Sequence, residues 1–153
     1  GLMVTSIPFY MLWKNVASRL SDEARQEHFL PQRALLEAGL PLAAGSDNIP
    51  VSLFTAIWAS VARQERTTGR AIGPGQALER LQALQTVTRN GAFLSFEEDR
   101  KGTLAPGRWA DLAVLDADPL TAPVDALAHI RAELTLVGGR AVHGHSFLQA
   151  QSS

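Results

Sequence analysis

The chain has 153 residues, 46% of them hydrophobic and none a cysteine. That suffices for one domain with its own core and excludes a disulfide scaffold, a thiolate zinc site and a cysteine nucleophile. The 14 Lys and Arg offset 15 Asp and Glu without the basic stripe of an electrostatic nucleic-acid binder, and no run approaches the roughly 18 apolar residues of a membrane span.

The chain opens at Gly1-Leu2-Met3-Val4, directly in an apolar run and without a secretory pattern. Leu2 to Pro8 is short, contains β-branched residues and stops at a proline, which predicts a buried strand. Tyr10, Trp13 and Lys14 follow it in an aromatic-rich segment. Ser21 is the expected N-cap of a helix over 22–27, with acids in its first turn. Pro31 restarts a helix that runs to Ala38, and Gly39 suits its C′ position. The second strand is expected within Leu40–Asp47, whose small residues permit close packing at a barrel wall or beside a ligand.

A helix is predicted from about Ser52 to Arg66, with Leu53, Ile57 and Val61 in one row and Phe54 and Trp58 in the next. Residues 67–75 read as a glycine-punctuated loop. The next helix, about Leu78 to Thr88, is expected to bury Leu81, Leu84 and Val87, to break at Asn90-Gly91 and to resume for one apolar turn over 92–96. Beyond residue 100 the pattern turns to β-structure. Trp109–Asp116 reads as a strand, and Leu134–Val137 with Arg140–His143 reads as a hairpin closed by Gly138-Gly139. The tail from Ser146 is polar and expected to fray. The order is therefore βαβα, two small helices and an antiparallel unit. A parallel pair this small must complete a larger sheet or barrel.

Chemistry-bearing residues are few. Asp47 follows a small-residue parallel strand, where barrel enzymes place catalytic groups; an aspartate there also caps turns, and both readings stand on position alone. His143-Gly-His145 has the period that puts two rings on one strand face, but it sits at the end of the last hairpin with no third ligand in view. His28 reads as solvated or capping, and His129 has no sequence partner. Tyr10, Trp13 and Lys14 would rim a barrel mouth, or simply pack as a loop. No glycine-rich loop opens a helix as phosphate binding requires.

Several segments together resemble a known family. Leu35 to Pro50, with Gly45-Ser46-Asp47 at its centre, resembles the last barrel strand of metal-dependent amidohydrolases. Residues 83–92 resemble the helix that follows, Gly102 to Asp116 the return to a β-sandwich, and Val137 to Val142 the closing hairpin. The nearest group is similar to amidohydrolase family 3. The resemblance implies an α/β fold: the C-terminal portion of a (β/α)8 TIM-type barrel, its last two strands and helices over residues 1–100, and part of a small β-sandwich over 101–153. A complete barrel takes roughly 250 residues.

The resemblance also implies roles. Asp47 would be the metal-site acid and proton shuttle in hydrolysis of a non-peptide carbon–nitrogen bond of a small amide-type substrate, with a metal-bound hydroxide attacking the carbonyl. Tyr10 and Trp13 would contact substrate, and Asp111 would make a structural hydrogen bond. The implied cofactor is a divalent metal, Zn²⁺ above all, in the full-length protein and none in this chain alone, because the segments that carry the family's histidine ligands have no counterpart here. The implied partner is the missing barrel half, or a second copy. A different reading is a non-catalytic interaction module that pairs through exposed sheet edges; a third is a small metal binder using His143 and His145. Nucleic acid and membrane are not expected partners. The lack of cysteine fits a cytoplasmic chain, and a periplasmic one as well.

Overall fold

The structure, a computed structural model, describes residues 2–12, 19–20, 22–47, 52–144 and 146–147. Trp13, Lys14, Ser21, residues 48–51 and His145 lie outside them, so the expectations for Trp13 and for a His143–His145 pair fall beyond the described residues.

Two sheets organise the fold. β1 (Val4–Ser6) and β2 (Leu42–Ala44) form a parallel pair in the register Val4↔Leu42, Thr5↔Ala43, Ser6↔Ala44. The crossover between them contains a 3-10 helix (Pro8–Leu12) and two short helices, α1 (Glu23–Glu27) and α2 (Gln32–Glu37). The N-cap of α1 is Asp22, whose carboxylate accepts from the Ala24 amide, while the expected cap Ser21 lies outside the described residues; an aspartate also meets the helix dipole with a full charge. α2 starts after Pro31 and ends as expected at Gly39. The Gly39 amide donates to Leu36 and the Leu40 amide to Leu35, which is the Schellman arrangement that left-handed glycine permits.

After β2 comes α3 (Leu53–Ala62), capped by the Ser52 hydroxyl. It ends four residues before the expected boundary, because Arg63 takes a left-handed backbone (φ 50°) and turns its side chain inward. Ile57 is buried as predicted, whereas Leu53, one turn earlier, stays 44% exposed. α4 (Arg80–Val87) opens with a reciprocal capping box between Glu79 and Gln82. Leu81 lies on its outer face, 54% exposed, contrary to expectation; Ala83 and Thr86 are the buried positions. The break before α5 (Arg89–Leu94) falls at Thr88 and not at Asn90-Gly91, both of which are helical. Asn90 is kept inside by its side chain, whose amide donates to the Leu42 carbonyl of β2 at 2.8 Å.

The second sheet is antiparallel, in the order β3 (Leu112–Leu115), β4 (Ala132–Val137), β5 (Arg140–His143). Gly138 and Gly139 close the β4–β5 hairpin with φ of 55° and 77°, the double positive φ of the primed turn that matches strand twist. Asp111 accepts the Gly138 amide at 2.7 Å, the structural bond the resemblance implies. A 3-10 helix at Val124–His129, unannounced in the sequence pattern, packs against α3. It delivers Leu127 and Ile130 to a core shared with Leu42, Ile57, Leu78 and Ala83. This main core joins the parallel pair, the helices and the edge of the antiparallel sheet, and a smaller cluster of Met11, Ala59 and Ile72 lies beside it.

Candidate active site

Parallel pairing brings the C-terminal ends of β1 and β2 side by side, and the pairing continues one step past β2, where the Gly45 amide donates to the Ser6 carbonyl at 2.9 Å. Four residues beyond Ser6 stands Tyr10, and three beyond Ala44 stands Asp47. The Tyr10 hydroxyl donates to Asp47 Oδ2 at 2.9 Å. Two residues singled out separately in the sequence therefore meet, and the common end of two parallel strands was the signal that could have predicted it.

Both ends of that contact are fixed locally. Tyr10 lies in the 3-10 helix between Phe9 and Met11, both buried, so its backbone is anchored from either side. Asp47 takes φ of 54°, a conformation that aspartate tolerates better than most residues because its short side chain bonds locally. Its carboxylate is exposed. The pKa of Tyr10 is raised, first by its hydrogen bond to Asp47, then by that carboxylate's charge, then by burial. A phenol donating to a carboxylate loses a bond and gains a repulsion on ionising.

The other candidates are not brought to this place. His143 is exposed, with Nε2 3.2 Å from the Ala132 carbonyl across the hairpin. His28 is exposed at the C-cap of α1. His129 borders a cavity of about 320 Å³ with Trp58, Arg66 and Asp125. A larger, mainly apolar cavity of about 710 Å³ lies between α3, α4, α5 and β3, with Asp111 and Lys101 at its wall. Neither cavity includes Tyr10 or Asp47 in its lining. Among the described residues no three His, Asp or Glu side chains stand close enough to hold a metal.

Arg63 escaped the sequence reading. It is completely buried and donates to four backbone carbonyls: Phe29 at 2.8 Å, Leu30 at 3.0 Å, Ile72 at 2.9 Å and Gly73 at 3.2 Å. Burial draws its pKa down to about 10, and the charge of Glu27 pushes it back up, so it remains a cation at neutral pH. It ties the end of α3 to the α1–α2 corner and to the segment that leads into α4.

The profile of the amidohydrolase family matches residues 6–143. The chain belongs to the amidohydrolase family. An N-substituted formamide deformylase of Arthrobacter pascens is 32% identical over an alignment of 132 residues that covers 83% of this chain and 24% of that protein. Among solved structures, an uncharacterized metal-dependent hydrolase of Pyrococcus horikoshii OT3 superposes with a TM-score of 0.67 at 22% identity, over 81% of this chain and 26% of its own. An amidohydrolase of Thermotoga maritima MSB8 gives 0.51 at 24% identity, over 71% of this chain and 24% of its own. The chain thus spans about a quarter of the length of these amidohydrolase relatives, and shares with the two structures a mixed α/β arrangement. No helix among the described residues is long and apolar enough to cross a membrane.

Proposed function

We propose that this chain is the closing part of an amidohydrolase that cleaves a non-peptide carbon–nitrogen bond of a small amide-type substrate, and that Asp47 is its proton shuttle. Residues 1–100 would supply the last two strands and helices of a (β/α)8 barrel, and 101–153 the C-terminal half of a small β-sandwich. The observation that carries the reading is the parallel pair whose shared C-terminal end presents Asp47 and Tyr10, the edge at which barrel enzymes assemble their sites. A parallel sheet of two strands does not stand alone, and Phe96 (91% exposed) and Leu104 (80% exposed) are large apolar side chains left facing solvent, as expected of surface that meets further chain.

In this role Asp47 takes a proton from the attacking water and returns it to the departing nitrogen. Water adds across the C–N bond, and the products are a carboxylate and an amine. The similarity to an N-substituted formamide deformylase makes N-substituted formamides the first substrates to try. Trp13 and the ring of Tyr10 would contact substrate at the mouth.

The family's metal is a separate matter. A catalytic zinc takes three protein ligands, and at the end of the parallel pair the described residues offer the Asp47 carboxylate, with no cluster of three donors. The residues present do not hold a metal by themselves, so Asp47 would be one ligand of a divalent ion, Zn²⁺ above all, completed by barrel strands outside this chain. The isolated chain is accordingly expected to be inactive. In the protein assembled with those strands, D47N should lower kcat by about 10²- to 10⁴-fold, the usual contribution of a general acid–base group; unchanged turnover would refute the assignment. The open sheet edges also admit a second copy, and sedimentation mass separates the two: an active one-to-one complex with the other barrel strands supports this reading, and an inactive homodimer the interaction module.

A further inference from the structure

We propose that Tyr10 is a positioning residue for Asp47, holding Oδ2 of its carboxylate so that Oδ1 is the oxygen turned to the reacting atoms. The inference rests on the reading of Asp47 given above and adds a residue to it. Among the described residues the Tyr10 phenol is the carboxylate's one hydrogen-bond partner, at 2.9 Å. An exposed aspartate without such a partner samples several rotamers, whereas a proton-transfer group works only within a narrow range of distance and angle.

The donor is well suited to the task. Its backbone is pinned by Phe9 and Met11, each buried to within 1% of complete. Its strand is locked to that of Asp47 as far as the bond from the Gly45 amide to Ser6. The contact joins positions 37 residues apart, so it reports the registry of β1 against β2 directly at the carboxylate. A tyrosine is also a single-donor device. It satisfies one oxygen and leaves the other free, which a bidentate arginine would not do.

The test uses the hydrolase assembled from this chain and the remaining barrel strands. Y10F, which deletes a single oxygen, should lower kcat about 10- to 100-fold, on the scale that misplacing a catalytic group by about an ångström produces, with KM changed by less than about twofold. Because Tyr10 acts through Asp47, the double variant Y10F/D47N should be no slower than D47N alone. A readout without activity uses the 153-residue chain labelled with ¹³C at tyrosine Cζ. Tyr10 is the only tyrosine, so one resonance results, and D47N should shift it. A raised KM with unchanged kcat would make Tyr10 a substrate contact only and overturn the proposal, as would additive losses in the double variant or a Cζ resonance that D47N leaves in place. If Y10F is silent while D47N is inactive, the positioning role falls and the reading of Asp47 survives. If D47N is active, that reading falls and the positioning role with it.

Discussion

At the scale of single residues, two side chains carry the account for opposite reasons. Tyr10 is half-buried and donates to Asp47, and its pKa is raised because ionisation would break that bond and place two negative charges together. The native state therefore holds the phenolic proton more tightly than the unfolded chain does. Its contribution to stability is complete below pH 10 and is lost as pH rises through the higher native value. Absorbance of the phenolate should show the single tyrosine titrating above 10, and D47N should bring it back toward 10; an unaltered titration in D47N would remove the contact. Arg63 is the reverse case, a cation wholly inside, satisfied by four carbonyls. R63M would leave those carbonyls without donors, and we expect a loss of about 3–5 kcal/mol in urea unfolding. Lysine at this position cannot span four acceptors with three hydrogens, so R63K should recover only part. The positions of Asp47 and Tyr10 just beyond the two strands were legible in the sequence. Arg63 was not, because its acceptors come from Phe29, Leu30, Ile72 and Gly73, segments remote in sequence, and helical periodicity runs through it without interruption.

At the scale of elements, sequence and structure agree where chemistry is local and part where tertiary contacts decide. The Gly138-Gly139 turn, the Gly39 terminus of α2 and the Ser52 start of α3 follow from backbone chemistry within a few residues, and each is found where expected. Substituting Gly139 by Val forces a β-branched residue to φ near 77° and should cost about 1–2 kcal/mol, read as a lower urea midpoint with unchanged m-value. The outward face of Leu81 and the helical state of Asn90-Gly91 were not legible. Leu81 sits on a stripe that α4 could have buried, but the neighbouring stripe of Ala83 and Thr86 meets the core instead. Asn90 is drawn into α5 by the Leu42 carbonyl, 48 positions away. The same β2 residue is the centre of the main core and is completely buried, so L42A should cost about 2–5 kcal/mol. A much smaller loss would show that this end of the parallel pair is loosely packed.

At the scale of the whole molecule, 153 residues suffice for a core, and the described residues form a main cluster and a smaller one of Met11, Ala59 and Ile72, with Trp58 packed against both. Among the described residues the parallel sheet has two strands, and Asp47 and Tyr10 meet at their common end. The family's profile covers residues 6–143, while the match to the deformylase relative covers 24% of that protein. The family was readable in the sequence because its marker segments, above all Gly102 to Asp116, lie inside this chain. A metal site was not readable, and among the described residues no three His, Asp or Glu side chains stand together to form one. The central claim is that catalysis belongs to the assembled barrel and that this chain contributes Asp47 to it. The most direct test measures bound Zn²⁺ by native mass spectrometry, together with turnover of an N-substituted formamide, for the chain alone and for the chain joined to the preceding barrel strands. The account predicts no stoichiometric metal and no turnover for the chain alone, and both for the assembly; one zinc per chain with hydrolysis by the isolated 153 residues would contradict it.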